Sequence, residues 1–217
     1  MTTGPTSELW IVVFDVNVFI DVAAYVGEPF AWSRFQAEVA KLHGEPCPAS
    51  NRAVDAMRAV ALVSNGRVTS RIRVQVWTSD HIDALLRHKA CQPAGVGMTA
   101  EDRGLGWAPS AADELVSELI GRTLRDSGGG SIGEVLIPRD APPLEHEDGL
   151  VYASGREAFG GDVFARRFVV TSDKDFIHHG SKPGAYPEVL HPSRFVHLVR
   201  TLRAQERLQG MRPRPHA

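Results

Sequence analysis

The stretch IVVFDVNVFID, residues 11–21, begins with four apolar residues and then places an aspartate, Asp15, where the apolar run ends. An apolar run rich in β-branched residues, here extending back to Leu9, is typical of a strand covered by helices on both faces. A carboxylate at the end of such a strand is costly to bury unless it is neutralised or hydrogen-bonded. Asp15, and Asn17 two residues later, are therefore the first candidates for a functional site.

The composition bounds the class of protein without fixing a function. The chain has 217 residues, of which 43% are hydrophobic and 23% charged, with a formal net charge of −2. This length suffices for one domain with a well-buried core. The net charge gives no whole-protein basic field for nucleic acid, but it leaves an RNA substrate open, because enzymes that bind phosphate through metal ions have acidic pockets.

The sequence lacks the signals of membrane insertion or export. No segment has the ~18 consecutive apolar residues that a bilayer-spanning helix needs, and the first eight residues lack the basic and apolar regions of a signal peptide. Cys47 and Cys91 fit neither a metal-ligand nor a disulfide pattern, so we expect two reduced, buried thiols. These features predict a cytoplasmic protein that does not contact a membrane.

Strand and helix patterns alternate along the chain. Strand patterns lie at 9–14, 71–77, 167–171 and 188–190. Helical spacing is seen at 32–42, after a cap at Asn51, at 80–89 after a cap at Ser79, at 110–124 after a cap at Ser110, at 147–159 and at 193–207. The alternation predicts an α/β fold built on a mainly parallel sheet.

The positions at which strand and helix patterns begin and end along the chain predict one domain with flanking segments. We expect an N-terminal arm at 1–8, a single domain at 9–207 and a disordered basic tail at 208–217. An irregular insert is expected around 92–145, because it contains a glycine- and proline-rich stretch at 127–143 that lacks strand or helix periodicity. Loops of this length are usually functional or disordered.

Three aspartates are predicted to converge at one edge of the sheet. Asp15 and Asp173 each follow a predicted strand, Asp148 begins the helix that precedes the second of these strands, and ligands of parallel sheets bind at the carboxyl ends of the strands. We call these three residues the acid cluster. Clustered carboxylates raise one another's pKa, and Mg²⁺ or Mn²⁺, which prefer oxygen ligands, would remove that penalty. Each aspartate taken alone is explained equally well as a turn residue or a helix cap.

Three segments of the chain resemble, in order, the acid-bearing segments of PIN domains. They are VVFDVNVFIDV at 12–22, EHEDGLVYASG at 145–155 and FVVTSDKDF at 168–176, and the closing VLHPSRFVHLV at 189–199 also resembles the last strand and helix of that family. PIN domains are metal-dependent nucleases that include the VapC-type toxins of bacterial toxin–antitoxin pairs. The resemblance, over roughly 9–203, implies a three-layer α/β/α sandwich that hydrolyses phosphodiester bonds, typically in RNA.

The resemblance also implies roles for individual residues. The acid cluster matches the family's ligands for Mg²⁺ or Mn²⁺. Asn17 matches a polar residue that would orient Asp15 or a bound water. Thr171 and Asp175 match the polar neighbours of Asp173, where they would support the site and position water.

One helix departs from the family pattern. PIN domains usually carry a further acid, commonly Glu, within the helix that here reads TSDHIDALLRHKA (78–90), and the equivalent position is Leu85, which cannot bind metal. Asp80 and Asp83 are the nearest carboxylates. We expect Asp80 to act as the fourth metal ligand, because it lies in the first turn and nearer the strand end, although a simple first-turn charge explains it too. His81 lies on the same face as Leu85.

Three functions follow from these patterns. The first is a Mg²⁺- or Mn²⁺-dependent endoribonuclease, the toxin of a toxin–antitoxin pair, with an RNA substrate, a small antitoxin partner and homodimer formation. The second is a non-catalytic PIN-like module that binds RNA or protein, which Leu85 favours. The third is a haloacid-dehalogenase-like phosphatase, which requires an acid where Asn17 stands. Phosphate contacts are sought among arginines on predicted elements, namely Arg71, Arg73, Arg200, Arg203 and Arg207.

Overall fold

Five parallel strands form one sheet in the computed structural model, which describes residues 7–44, 51–94, 104–135, 144–159, 161–181 and 186–210. The strands are β1 (Glu8–Phe14), β2 (Ile72–Ser79), β3 (Gly130–Ile132), β4 (Arg166–Val170) and β5 (Glu188–Leu190). Their order is β3-β2-β1-β4-β5, and every neighbouring pair is parallel. The central strand is therefore β1, which carries Asp15 at its carboxyl end.

Helices cover both faces of this sheet. They are α1 (Val16–Val26), α2 (Trp32–Gly44), α3 (Arg52–Val63), α4 (Asp80–Cys91), α5 (Pro109–Leu115), α6 (Arg122–Ser127), α7 (His146–Glu157), α8 (Lys174–Gly180) and α9 (Pro192–Gly210). A π-helical segment, Val116–Gly121, joins α5 to α6. Within the ranges described above, none of the helices combines the length and the apolar character that crossing a bilayer requires.

The side chains of β4 show that the helices form two separate layers. Phe168 packs against Trp10 of β1, with ring centroids 4.8 Å apart, and against Phe195 of α9 at 5.8 Å. The next residue, Val169, points to the opposite face, as alternation along a strand requires. There it meets α7 so closely that a Cβ added at Gly155 would lie 2.6 Å from its Cγ2 atom. With α9 on one face and α7 on the other, the fold is the expected three-layer α/β/α sandwich.

Two predicted helix caps are confirmed, and one is wrong. The Asn51 side chain accepts a hydrogen bond from the amide of Ala53 at 3.0 Å, and the Ser79 side chain accepts one from the amide of Ile82 at 3.5 Å. The predicted cap at Ser110 instead lies inside the first turn of α5, which begins at Pro109. Proline suits the first position of a helix, because its missing N–H would have no partner there.

The strand β3 was not predicted, because it begins at the last of three consecutive glycines, Gly128 to Gly130. Residues 127–143 were expected to be a loop, yet Gly130 begins a strand that pairs with β2. The close approach to β2 depends on the absence of side chains: a Cβ at Gly129 would lie 1.7 Å from the carbonyl oxygen of Val76. Glycine is rare in strands, so composition predicts a loop where close backbone packing produces an edge strand.

Further expectations are corrected by the same structure. The expected irregular insert at 92–145 contains α5, the π-helical segment, α6 and β3 in its described part. Helix α9 continues to Gly210, so residues 208–210 are helical, while 211–217 lie outside the described residues, as do 1–6 of the expected N-terminal arm. Cys91 is a free thiol but exposed, not buried, and Cys47 lies outside the described residues.

Replacement of Gly129 by alanine should destabilise the fold. The added methyl group would overlap the Val76 carbonyl oxygen, and overpacking of this kind costs about 1–3 kcal/mol of the free energy of unfolding. Urea denaturation of Gly129→Ala measures the loss. The control is Gly133→Ala, where no heavy atom lies within 4 Å of an added Cβ and the change should stay within about 0.5 kcal/mol. Equal stability of the two variants would contradict the placement of β3.

Candidate active site

Asp15 is buried where β1 passes into α1. Its backbone amide donates to the carbonyl oxygen of Val170 at 2.9 Å, which continues the pairing of β1 with β4. The side chain makes no capping hydrogen bond to α1, so capping does not explain this aspartate. Its carboxylate instead accepts a hydrogen bond from Thr171 Oγ1 at 2.7 Å. Burial raises the pKa of Asp15, while the Thr171 bond and the charge of Lys89 oppose that rise.

Thr171 links Asp15 to Asp173. Its side chain is fully buried at the end of β4, where the hydroxyl donates to Asp15 and accepts a hydrogen bond from the amide of Asp173 at 3.0 Å. The expectation that Thr171 supports the acids of the site thus has a direct contact behind it. One hydroxyl thus bonds both the end of β1 and the turn after β4. The pairing of these two strands in the sheet sets the spacing between the two bonded segments.

Asp173 caps α8 as well as facing the acid cluster. Its Oδ1 atom accepts hydrogen bonds from the amides of Asp175 and Phe176 at 2.7 and 2.9 Å. The cap interpretation is therefore correct for Asp173, and the cluster interpretation also holds, because its charge raises the pKa of both Asp15 and Asp148. Asp175 contributes its backbone amide to this cap, and the residue itself is exposed to solvent.

The third carboxylate of the acid cluster, Asp148, interacts electrostatically with the other two. It is the third residue of α7 and is partly buried. Burial, and then the negative charges of Asp15 and Asp173, raise its pKa to about 7, with smaller contributions from Glu145 and Glu147. The three predicted acids, which come from β1, α7 and the segment after β4, therefore act on one another electrostatically, as the sequence predicts.

The chemistry of the acid cluster fits a hard divalent cation. All three of its members offer carboxylate oxygens, the ligands that Mg²⁺ and Mn²⁺ prefer, and the pKa of Asp148 is raised by burial first and then by the negative charge of its acidic neighbours. The positions of the side chains do not yet form a coordination sphere. In the part of the chain that the structure describes, no three His, Cys, Asp or Glu side chains are arranged so that they could hold a metal ion.

Helix α4 supplies a lysine beside the acid cluster, a residue that sequence reasoning missed. The ammonium nitrogen of Lys89 lies 3.4 Å from Oδ1 of Asn17, which is buried in the first turn of α1. Leu85, at the position where an acid was missing, is partly buried and packs against the core. Lys89 follows it by four residues, hence on the same helix face, and this spacing was the available signal.

The two carboxylates at the start of α4 have different surroundings. Asp83 accepts a hydrogen bond from Thr78 Oγ1 at 2.8 Å, and burial raises its pKa. Asp80 is exposed, and its charge contributes to the raised pKa of Asp83, so its assignment as a fourth metal ligand stays a prediction. His81 is partly buried. Burial lowers its pKa, and the charge of Glu147 opposes this change. The Nε2 atom of His81 has no hydrogen-bond partner among the described residues.

A second polar group supports the turn after β4 from the side of α1. Asp21 Oδ2 accepts hydrogen bonds from Arg52 Nε at 2.7 Å and from Ser172 Oγ at 3.1 Å. Ser172, which lies between Thr171 and Asp173 in the sequence, is buried. Asp15 and Asp21, the two aspartates within IVVFDVNVFID, thus both support the turn after β4. Asp15 contacts this turn from the end of β1, and Asp21 contacts it from α1.

The arginines singled out in the sequence do not lie at the acid cluster. Arg73 pairs in register with Leu9 at the start of β1, so Arg71 and Arg73 lie at the amino edge of the sheet. Arg203 donates hydrogen bonds to the backbone carbonyls of Val68, Leu62 and Arg67 at 2.8 to 3.1 Å. Arg203 therefore lies at the amino edge as well, where it holds α9 against the segment before β2.

Comparison with known proteins adds no relative to this description. Comparisons with protein-family models, with curated protein sequences and with solved structures returned no match for this chain. The chemistry of the site is accordingly argued from its own residues.

Replacement of Asp148 by asparagine should stabilise the metal-free protein at alkaline pH. Folding moves the pKa of Asp148 from 3.8 to about 7. The folded protein therefore binds more protons between these values, and the free energy of unfolding falls as pH rises through them. Asp148→Asn should raise it by about 1 kcal/mol at pH 8, well below the full shift because the residue is partly exposed.

Urea denaturation in chelator at pH 4 and pH 8 tests this expectation. The gain should shrink toward pH 4, where the folded wild type carries a protonated Asp148 and the unfolded wild type is close to half protonated. Glu157→Gln, an exposed change on the same helix, is the control and should stay within about 0.5 kcal/mol. A variant less stable than the wild type at pH 8 would contradict the repulsion described here.

Replacement of Thr171 by valine should destabilise the protein, because the buried carboxylate of Asp15 loses its hydrogen bond. The expected loss is about 1–3 kcal/mol of the free energy of unfolding at pH 7, and the pKa of Asp15 should rise further. Chemical denaturation gives the first quantity and NMR titration of the Asp15 carboxyl carbon gives the second. Thr171→Ser keeps the hydroxyl, so a pKa of Asp15 that is equally raised in both variants would contradict the assignment.

Proposed function

We propose that this protein is a Mg²⁺- or Mn²⁺-dependent endoribonuclease. The observation that carries the proposal is the convergence of the acid cluster from three separate elements at the carboxyl edge of a parallel sheet, with the pKa of Asp148 raised to about 7 by burial and by its acidic neighbours. Structural caps do not require three carboxylates that destabilise one another, whereas a site for a cation does. The resemblance to PIN domains points to RNA as the substrate, and a small antitoxin and a second copy of the chain are the partners it implies.

The reaction proposed is hydrolysis of a phosphodiester bond. A water oxygen attacks phosphorus, the bond from phosphorus to the 3′-oxygen breaks, and the products are a 5′-phosphate and a 3′-hydroxyl that has taken up a proton. When bound, a divalent cation would activate the water and offset charge on the phosphate. The side chains of the acid cluster would hold that cation.

The protein's own residues would orient the reactants. Asp15 is held by Thr171, so its carboxylate is fixed before substrate arrives. Asp148 would hold the cation together with Asp15 and Asp173, and the cation's charge would offset the repulsion that raises the pKa of Asp148 in the metal-free protein. Asn17, buried two residues after Asp15, and Asp175, two residues after Asp173, would position water at the edge of the site.

Asp15→Asn tests the proposal most directly. The substitution keeps the shape of the side chain and removes its charge, so metal-dependent cleavage should fall at least about 100-fold. The assay follows end-labelled single-stranded RNA, structured RNA and DNA, each with Mg²⁺, Mn²⁺ or chelator. Asp113→Asn removes the same charge at an exposed position on α5 and should cleave as the wild type does. Cleavage retained by Asp15→Asn, or unaffected by chelator, would refute the nuclease assignment.

A non-catalytic module is the second candidate, favoured by one observation. Leu85 packs against the core where PIN domains usually carry an acid, so α4 offers no carboxylate at that position. Such a module would bind RNA without metal-stimulated turnover, which the same assay combined with fluorescence anisotropy distinguishes. The phosphatase is the weaker alternative, since Asn17, which accepts a hydrogen bond from Lys89, stands where that family needs an acid.

A further inference from the structure

We propose that Lys89 is a catalytic residue whose ammonium group contacts the scissile phosphate, where it supplies the positive charge that a second divalent cation would otherwise provide. The inference rests on the proposed nuclease function and deepens it. It starts from a residue that no motif in the sequence singled out.

The position of Lys89 places an ammonium group beside Asn17 and close enough to Asp15 to affect its carboxylate. Its ammonium lies 3.4 Å from Asn17 Oδ1, and its charge lowers the pKa of Asp15. The residue is partly buried, on the face of α4 that Leu85 also occupies one turn earlier. The helix that PIN domains use for an acid therefore presents a cation to the same space.

The ammonium retains hydrogen-bonding capacity for a ligand. A lysine has three N–H donors, and across the described ranges the bond to Asn17, which is long for an N–H···O contact, is the one it makes. Within those ranges no carboxylate oxygen forms an ion pair with Lys89 at 4.0 Å or less. The lysine is therefore near enough to act on Asp15 electrostatically without being neutralised by it, and a phosphate oxygen suits its remaining donors.

Charge balance points to the same role. Four carboxylates would be balanced by two divalent cations, whereas the three of the acid cluster together with Lys89 would be balanced by one. Loss of an acid at Leu85 and gain of Lys89 change the charge of the site by the amount that one divalent cation carries. The site would consequently bind one such cation and hold the phosphate from the other side with the ammonium.

Binding of RNA without metal gives the first test. Fluorescence anisotropy with a labelled single-stranded RNA in chelator, at several salt concentrations, should show that Lys89→Met reduces the slope of log affinity against log salt by about 0.7, the loss of one phosphate contact. Lys41→Met removes a lysine that is exposed on α2 and paired with Glu38, and its slope should equal that of the wild type. A wild-type slope in Lys89→Met would overturn the proposal.

Cleavage gives the second test. In single-turnover assays with Mg²⁺, Lys89→Met should be at least about 100-fold slower than the wild type, as expected when a charge that stabilises the transition state is removed. Lys89→Arg should recover most of that loss because it keeps the charge. The wild-type rate should depend on Mg²⁺ with a Hill coefficient near one. Lys89→Met as fast as Lys41→Met, or Lys89→Arg as slow as Lys89→Met when both are folded by circular dichroism, would overturn the role.

The two proposals fail in different ways. If the wild type does not cleave RNA with either metal, or if Asp15→Asn cleaves normally, the nuclease function fails and the catalytic role of Lys89 fails with it. If the wild type cleaves, Asp15→Asn does not, and Lys89→Met behaves as the Lys41→Met control, the nuclease function stands and only the role of Lys89 is refuted.

Discussion

The hydrogen bond from Thr171 to Asp15 is the contact on which the rest of the site depends. A buried carboxylate without a partner costs several kcal/mol, and here one buried hydroxyl meets that carboxylate at 2.7 Å while it also accepts the amide of Asp173. The two partners stand at the ends of adjacent strands, so the sheet holds them in place. Rigid strands rather than mobile loops therefore fix the distance between two of the three acids.

The site is assembled against electrostatic repulsion. Asp148 would ionise more easily on almost any exposed helix, yet α7 partly buries it near two other carboxylates, and burial together with their charges raises its pKa to about 7. The charge of Lys89 lowers the pKa of Asp15 and so opposes part of this repulsion. Local instability of this kind is typical of functional sites, where the arrangement that serves chemistry differs from the one that would stabilise the fold most.

Sequence reasoning succeeded where the determining physics is local. The apolar run before Asp15 predicts a buried strand, and the cap chemistry of Asn51 and Ser79 predicts two helix starts, because each depends on neighbours in the chain. It failed for β3, where backbone contact with β2 outweighs the low strand propensity of glycine. It also failed at Ser110, where a proline one residue earlier starts the helix.

The positions of the acid cluster could be predicted from the sequence, whereas the approach of Lys89 to the cluster could not. Strand ends in a parallel sheet share an edge, so the positions of Asp15 and Asp173 follow from the order of elements, and Asp148 follows from the resemblance. The approach of Lys89 to Asn17 depends on how α4 packs against α1, which periodicity does not determine. The same holds for Asp21 and Ser172, whose contact joins residues 151 positions apart.

The spacing of the central hydrogen bond along the chain has a consequence for biosynthesis. Thr171 and Asp15 are separated by 156 residues, and Thr171 directly follows β4, the fourth of the five described strands. Contacts this distant form late, after the intervening chain has been ordered. A nascent chain that has left the ribosome only as far as α7 contains Asp15, Lys89 and Asp148 but has no partner for the Asp15 carboxylate. The site thus comes into being only after β4 and the turn that follows it have been synthesised.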